Sequence, residues 1–308
     1  MTTFRVSLFG RFRVERESER VDDRIPHKVR ELLVYLLLYR HRSHPRESLA
    51  ELLWQGQSPT KSRKGLRQAL WRLKGFLENT GEQGATELVA EMDWIQFIPS
   101  NNWWLDTADF ESTFAEINAR RVRELSEADF HRLQEVVKLY QGDLLEGWYQ
   151  DWCLIERERF QAMYLMCLDK LVQYCEVHHH YDAGLVYAAD ILRCDQAYER
   201  THRQMMRLYY MSGARTQALH QYQRCQQALR KDLDIGPSDR TRQLHEQIRA
   251  DNFTPPVFAL GKVDLRPETA VEITNVLNQL EQVSEILNKI EYQVQQEIQA
   301  LTSTLLRR

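Results

Sequence analysis

Apolar and polar positions alternate at the start of the chain. Phe4, Val6 and Leu8 fall on one side, and after Gly10 the rhythm resumes with Phe12 and Val14. A period of two predicts two short strands around a glycine turn. Beyond Pro26 the spacing changes to three and four, and Val29, Leu32, Leu33, Leu36 and Leu37 define the core face of a first helix. A second helix is expected from Pro45, burying Leu49, Leu52, Leu53 and Trp54 and ending at Gly56. The third starts at Ser58-Pro59, a polar cap with proline in the first turn. Past a loop holding Gly81 and Gly84, residues 88–90 and 95–98 predict a β-hairpin. Strand, strand, helix, helix, helix, hairpin is the order of a winged helix, whose third helix enters a nucleic-acid groove.

From Asp106 onward the pattern is helical throughout, as in Phe160, Met163, Tyr164, Cys167, Leu168, Leu171 and Val172. Gly184 and Ala218, each followed by Leu, stand 34 residues apart, with Tyr187 and Tyr222 after them. Small residues at that period fit tetratricopeptide-like helix pairs. A breaker at residues 232–237 precedes a last helix near 238–249. Residues 253–267 are aperiodic, contain proline and read as a linker. In 268–308, Ile273, Leu280, Leu287, Val294 and Leu301 occupy one heptad position, and Val276, Val283 and Ile290 another. Two readings stand for this segment: a dimerising coiled coil, or an amphipathic helix packed on its own body. The expected fold is thus mostly α. A winged helix-turn-helix (α+β) spans 1–105 and an all-α tetratricopeptide-like domain 106–252. A linker (253–267) and a C-terminal amphipathic helix (268–308) follow.

Charge sharpens this picture at the third helix. Between Leu52 and Leu77 there is no acidic residue, while Lys61, Arg63, Lys64, Arg67, Arg72 and Lys74 crowd one stretch. On a helical wheel Leu66, Ala69, Leu70 and Leu73 share one face, with Lys61, Lys64, Gln68 and Trp71 opposite. The chain as a whole carries −3. Residues 1–100 hold 17 Lys/Arg against 13 Asp/Glu, and residues 101–252 hold 19 against 24. A basic head on an acidic body predicts that only the head meets nucleic acid, with double-stranded DNA as the expected partner. Lys61, Arg63, Lys64, Arg67, Arg72 and Lys74 are the candidate contacts to phosphate or guanine edges, and Gln68 the candidate for adenine. Trp71 either packs on sugar or a thymine methyl, or covers an apolar gap against the hairpin. Lys28 and Arg30 of the first helix are candidates for the DNA backbone.

Other functional classes recede. The longest apolar run, residues 32–39, is too short for a membrane span. The N-terminus lacks a signal-peptide layout. Five scattered cysteines read as reduced thiols, so a cytoplasmic location is expected. His178-His179-His180 point in different directions on a helix and are expected to end it at its negative pole rather than bind metal. No spacing of Ser, His, Cys or Asp implies catalysis, and no GxxxxGK[ST] is present, so neither an enzyme nor a cofactor is expected.

Five segments carry a family resemblance. They are HKVRELLVYLLL (27–38), RESLAELLW (46–54), SRKGLRQALWRLK (62–74), LDTADFE (105–111) and GARTQALHQYQRCQQALRKDLDIGPS (213–238). In this order they are similar to the SARP-type transcriptional activators, which join an OmpR-like winged helix to a bacterial transcriptional activator domain (BTAD). The resemblance covers about four-fifths of the chain. It implies DNA binding, an activator role, and RNA polymerase subunits or another protein as partner of the helical repeats. A homodimer on paired half-sites is expected beside it. Two positions depart from the family pattern. The hairpin tip is Glu91-Met92-Asp93-Trp94, where family wings offer Gly and Arg, and Trp71 stands where a small polar residue is common. The acidic tip motivates the rival expectation, a protein-binding scaffold or adaptor with little DNA affinity.

Overall fold

The computed structural model describes residues 4–78, 88–99 and 102–254. Its first part runs β1 (Phe4–Ser7), β2 (Arg13–Arg16), β3 (Glu19–Arg20), α1 (His27–Leu38), β4 (His44–Pro45), α2 (Arg46–Leu53), α3 (Pro59–Glu78), β5 (Leu88–Ala90), β6 (Trp94–Phe97) and β7 (Trp103–Leu105). The second part is helical: α4 (Asp106–Asn118), α5 (Glu127–Leu139), α6 (Asp151–Val177), α7 (Tyr181–Cys194), α8 (Glu199–Met211), α9 (Arg215–Leu233) and α10 (Asp239–Arg249). The molecule is mostly helical, a strand-containing head followed by helical repeats.

The alternation at the N-terminus becomes β1 and β2, antiparallel, with Val6 opposite Val14 and both fully buried. Gly10 lies between them at φ 75°, a left-handed backbone that glycine adopts at no steric cost. The sheet is larger than the two strands expected. Its order is β3-β2-β1-β7, with β7 parallel to β1. Consecutive strand residues face opposite ways, which separates the two tryptophans of β7. Trp103 stacks on Phe4 at 4.5 Å and meets Phe97 edge-on at 5.3 Å, inside the head. Trp104 faces out under the Arg5 guanidinium at 4.0 Å and donates its Nε1–H to Asp109 of α4. Trp104 therefore reaches the helical part, while Trp103 packs inside the head.

A second sheet, β4-β6-β5, holds the expected hairpin, with β4 added by the pairing of His44 with Ile95. The helix faces follow the periodicity. Val29, Leu32, Leu33, Leu36, Leu37, Leu49, Leu53 and Trp54 are buried, while Leu52 is half-buried.

In the helical part, α6 packs on α7 and α8 on α9. Gly184 explains the small residue of the repeat. A Cβ there would lie 3.0 Å from Cys175 and 3.1 Å from Leu208, so the helices approach closely only with glycine. Ala218, 34 residues on, is fully buried. The triple histidine ends α6, whose cap is His178, and its N–H donates to the Tyr174 carbonyl. At the end of the described chain Phe253 meets Tyr210 edge-on at 5.3 Å, packed rather than extended away. The heptads of 268–308 lie outside the described residues.

Head and helical part form one body. Phe9 inserts its ring between Phe110 (5.3 Å), Tyr140 (5.0 Å) and Phe160 (5.4 Å). Around it the backbone is clamped: Leu145 N–H donates to the Leu8 carbonyl, Gly10 N–H to Asp143, and Glu146 N–H to Gly10. The buried Asp106 carboxylate accepts from the N–H groups of Leu8 and Phe9 at 2.7 and 3.0 Å. Burial pushes this carboxyl up to about 6, against the pull of those donors. A salt-bridge chain runs Arg40–Glu111–Arg159–Glu156 across the same seam.

Truncating Phe9 leaves a cavity where four rings meet. Phe9→Ala is expected to cost about 3–5 kcal/mol in urea unfolding and to split one transition into two as head and helices part. A single transition within about 1 kcal/mol of the parent's stability would show that the joint does not rest on Phe9.

Candidate nucleic-acid interface

The cationic helix is α3, and its faces sort as the wheel predicts. Leu66, Ala69, Leu70, Leu73 and Leu77 are buried against the head. Lys61, Arg63, Lys64, Arg67, Gln68, Trp71, Arg72 and Lys74 are all exposed. The structure therefore brings the eight predicted residues of this helix onto one solvent face. The side chains of Lys61, Lys64, Arg67, Gln68 and Arg72 have no hydrogen bond or ion pair among the described residues. Arg63 differs: its Nη2 donates to Glu47 at 2.6 Å, an exposed pair.

The turn before α3 fixes how that face is presented. Gly56 takes φ 77° after α2. Ser62 is buried, and its hydroxyl donates to the Ser58 carbonyl at 3.2 Å. Trp54 lies flat on α3 at Gly65, where an added Cβ would sit 2.6 Å from the indole Nε1. Only glycine lets the indole close against the helix, so the α2–α3 angle depends on that one missing methyl.

Lys28 and Arg30 are placed otherwise. Lys28 Nζ donates to Glu31 and to the Leu53 carbonyl, both at 2.7 Å, tying α1 to the end of α2. Arg30 Nε donates to the Ile25 carbonyl at 2.6 Å and is half-buried. Both spend donors on the fold. Sequence shows a cation but not whether its N–H groups are already taken.

The hairpin tip stands beside the first half of α3. Arg46 clamps it, its backbone N–H donating to the Asp93 carbonyl and its Nε to the Glu91 carbonyl. Met92 is 89% exposed at the apex. Together with Asp93 it shares a cleft of about 430 Å³ with Arg46, Glu47, Arg63 and Arg67. Arg46 belongs to this surface and is not among the candidates drawn from the sequence, where its one signal is a basic residue opening a helix. Trp71 does not cover a gap against the hairpin. It is 76% exposed and walls a different cleft, with Ile25 and Phe76.

Gly65→Ala would force the Trp54 ring off α3. The expected loss is about 1–3 kcal/mol, read by thermal unfolding, with the Trp54 contribution to near-ultraviolet dichroism altered. Stability at or above the parent's would mean the turn has slack that the 2.6 Å approach does not suggest.

Comparison with known proteins bears on the whole arrangement. Residues 105–249 match the bacterial transcriptional activator domain family. A search of curated protein sequences finds no match. Among solved structures, the chain is similar to Mycobacterium tuberculosis EmbR in complex with a low-affinity phosphopeptide, with TM-score 0.70 and 19% identity. The likeness covers 91% of this chain and 72% of that one. Among the described residues no helix is long and apolar enough to cross a membrane. Behind the strand-containing head, the chain thus carries a domain similar to the bacterial transcriptional activator domain, in a fold similar to that of EmbR.

Proposed function

We propose that this protein is a transcriptional regulator of the SARP type, which binds double-stranded DNA through residues 59–77 of α3 and acts as an activator. The observation that carries the reading is the outward face of α3. Lys61, Lys64, Arg67 and Arg72 stand exposed, with no carboxylate bound to them among the described residues. These four cations, on a helix that fits within the major groove, gain most from phosphates and guanine edges. Gln68, midway along the face, suits adenine. Lys74 and Arg63 join at the ends, Arg63 after exchanging Glu47 for phosphate. Lys28 and Arg30 add charge near the backbone without releasing their internal bonds.

In this reading the helical repeats offer a surface to a protein partner, RNA polymerase subunits being the expected one, and the protein works as a homodimer on paired half-sites. Rigid attachment of the head to the repeats supports it, since a partner held by one is held at a fixed place relative to the other. The adaptor alternative draws on the acidic tip, where Glu91 and Asp93 flank the cationic helix.

The test is capture of fragmented source DNA by the purified chain near physiological salt, followed by gel-shift titration on the recovered sites. Lys64→Ala and Arg67→Ala are each expected to weaken binding and to flatten the salt dependence by about one unit. Equal affinity and slope in parent and variants would remove α3 from the interface. Retention only at low salt, with no enriched motif, would favour the adaptor.

The heptads of 268–308 make a separate claim. Deleting them is expected to halve the particle mass in light scattering if they dimerise the chain. An unchanged mass assigns dimerisation elsewhere or removes it.

A further inference from the structure

The head contains a second cleft, of about 440 Å³, between the end of α3 and the segment linking β3 to α1. Its floor is apolar: Phe4, Ile25, Val29 and Phe76. Trp71 forms one wall. Among the described residues, every charged side chain that lines it is a guanidinium, from Arg16, Arg24 and Arg72, and no carboxylate does. Gly75 lies in the lining, and a Cβ there would meet no atom within 4 Å, so the space above the helix is open. Glycine inside a helix costs about 1 kcal/mol relative to alanine. Here it has no close packing or positive φ to justify it, unlike Gly65.

We propose that this cleft binds a small amphiphilic carboxylate, an acyl or aryl acid whose apolar body rests on Phe4, Ile25, Val29 and Phe76 and whose carboxylate meets the guanidinium rim. The volume lies in the range of small-molecule sites, which are mostly apolar with a few orienting polar groups. The sign of the rim selects an anion, and the planar guanidinium matches a carboxylate in two-pronged geometry. Trp71 and Arg72 belong both to this cleft and to the outward face of α3. A bound acid therefore occupies side chains that DNA would use, and the two compete. That competition rests on the proposed DNA reading; the site itself does not.

The experiment uses the full chain and two probes, the fluorescent aryl sulfonate anilinonaphthalenesulfonate and octanoate. The sulfonate should bind saturably with a Kd below about 1 mM, and octanoate should displace it. Gly75→Leu fills the cleft while improving helix propensity, and Arg24→Ala removes one rim cation outside α3. Each is expected to weaken both probes by roughly tenfold with the far-ultraviolet spectrum preserved. Octanoate should also lower retention of recovered DNA by the parent but not by Gly75→Leu. Sulfonate binding that is absent, or that both variants leave intact, overturns the site. Displacement from the cleft with DNA retention unmoved overturns the competition. A failure of the DNA reading is separately visible, because retention would then be missing without octanoate while displacement still reports on the cleft.

Discussion

One ring holds the two halves of this protein together. Phe9 leaves the N-terminal sheet and enters the aromatic cluster of Phe110, Tyr140 and Phe160. Edge-to-face aromatic contacts contribute beyond their area, about 0.5–1.5 kcal/mol per pair. Their larger effect here is geometric. The backbone on either side of Phe9 is hydrogen-bonded to residues 143–146 and to the Asp106 carboxylate. A strand of the head is thus completed by a loop and a helix start from the activator domain. The two parts share one hydrophobic core across this joint, so the head is not a module on a tether. The salt-bridge chain along the same seam, with Arg40 and Glu111 both largely buried, adds direction rather than much energy.

That rigidity decides what α3 is able to do. Its buried face is anchored by Leu66, Leu70 and Leu73, and its angle is set by the indole of Trp54 against Gly65. Lys28 then fastens Leu53, immediately before Trp54, to α1. The cationic face is consequently presented by a chain of fixed contacts running back to the Phe9 joint. A helix presented this way loses little conformational entropy on meeting a groove, which is where preorganised surfaces gain affinity.

Much of this was legible in the sequence because period carries it. Twenty residues of α3, with apolar positions at three and four, leave a single choice of inner face, and the cations follow by elimination. The same holds for α1 and for the small residues at 184 and 218. What escaped detection lacks a period. β3 and β4 are two residues long and β7 is three, too short for alternation to register. Their existence depends on partners far along the chain: Trp104 pairs with Arg5, and His44 with Ile95. Phe9 hid for a related reason. It breaks the alternation of Phe4, Val6 and Leu8, so its inward turn toward the helices has no local signal. Lys28 and Arg30 are the converse case: composition shows their charge, while only packing shows their bonds. The clefts at the two ends of α3 are likewise products of assembly, each drawing residues from three or more elements.

The charges around α3 are mixed, and the mixture has consequences. Glu47 holds Arg63, and Asp93 stands across a shared cleft from Arg67. An exposed pair such as Arg63–Glu47 is worth little to the fold, about 0–1 kcal/mol, but it must be broken before Arg63 meets phosphate. On the proposed DNA reading, Coulombic attraction to any duplex is reduced at this end, while the short-range contacts proposed for Gln68, Trp71 and Arg72 are not. Non-specific affinity comes almost wholly from the long-range charge, and discrimination from contacts at base edges. A cationic face with acidic neighbours thus lowers binding to all sequences while leaving the contacts that distinguish one from another. On the DNA reading, the acidic hairpin tip belongs with this arrangement. It weakens general attraction at the wing and concentrates recognition on the helix.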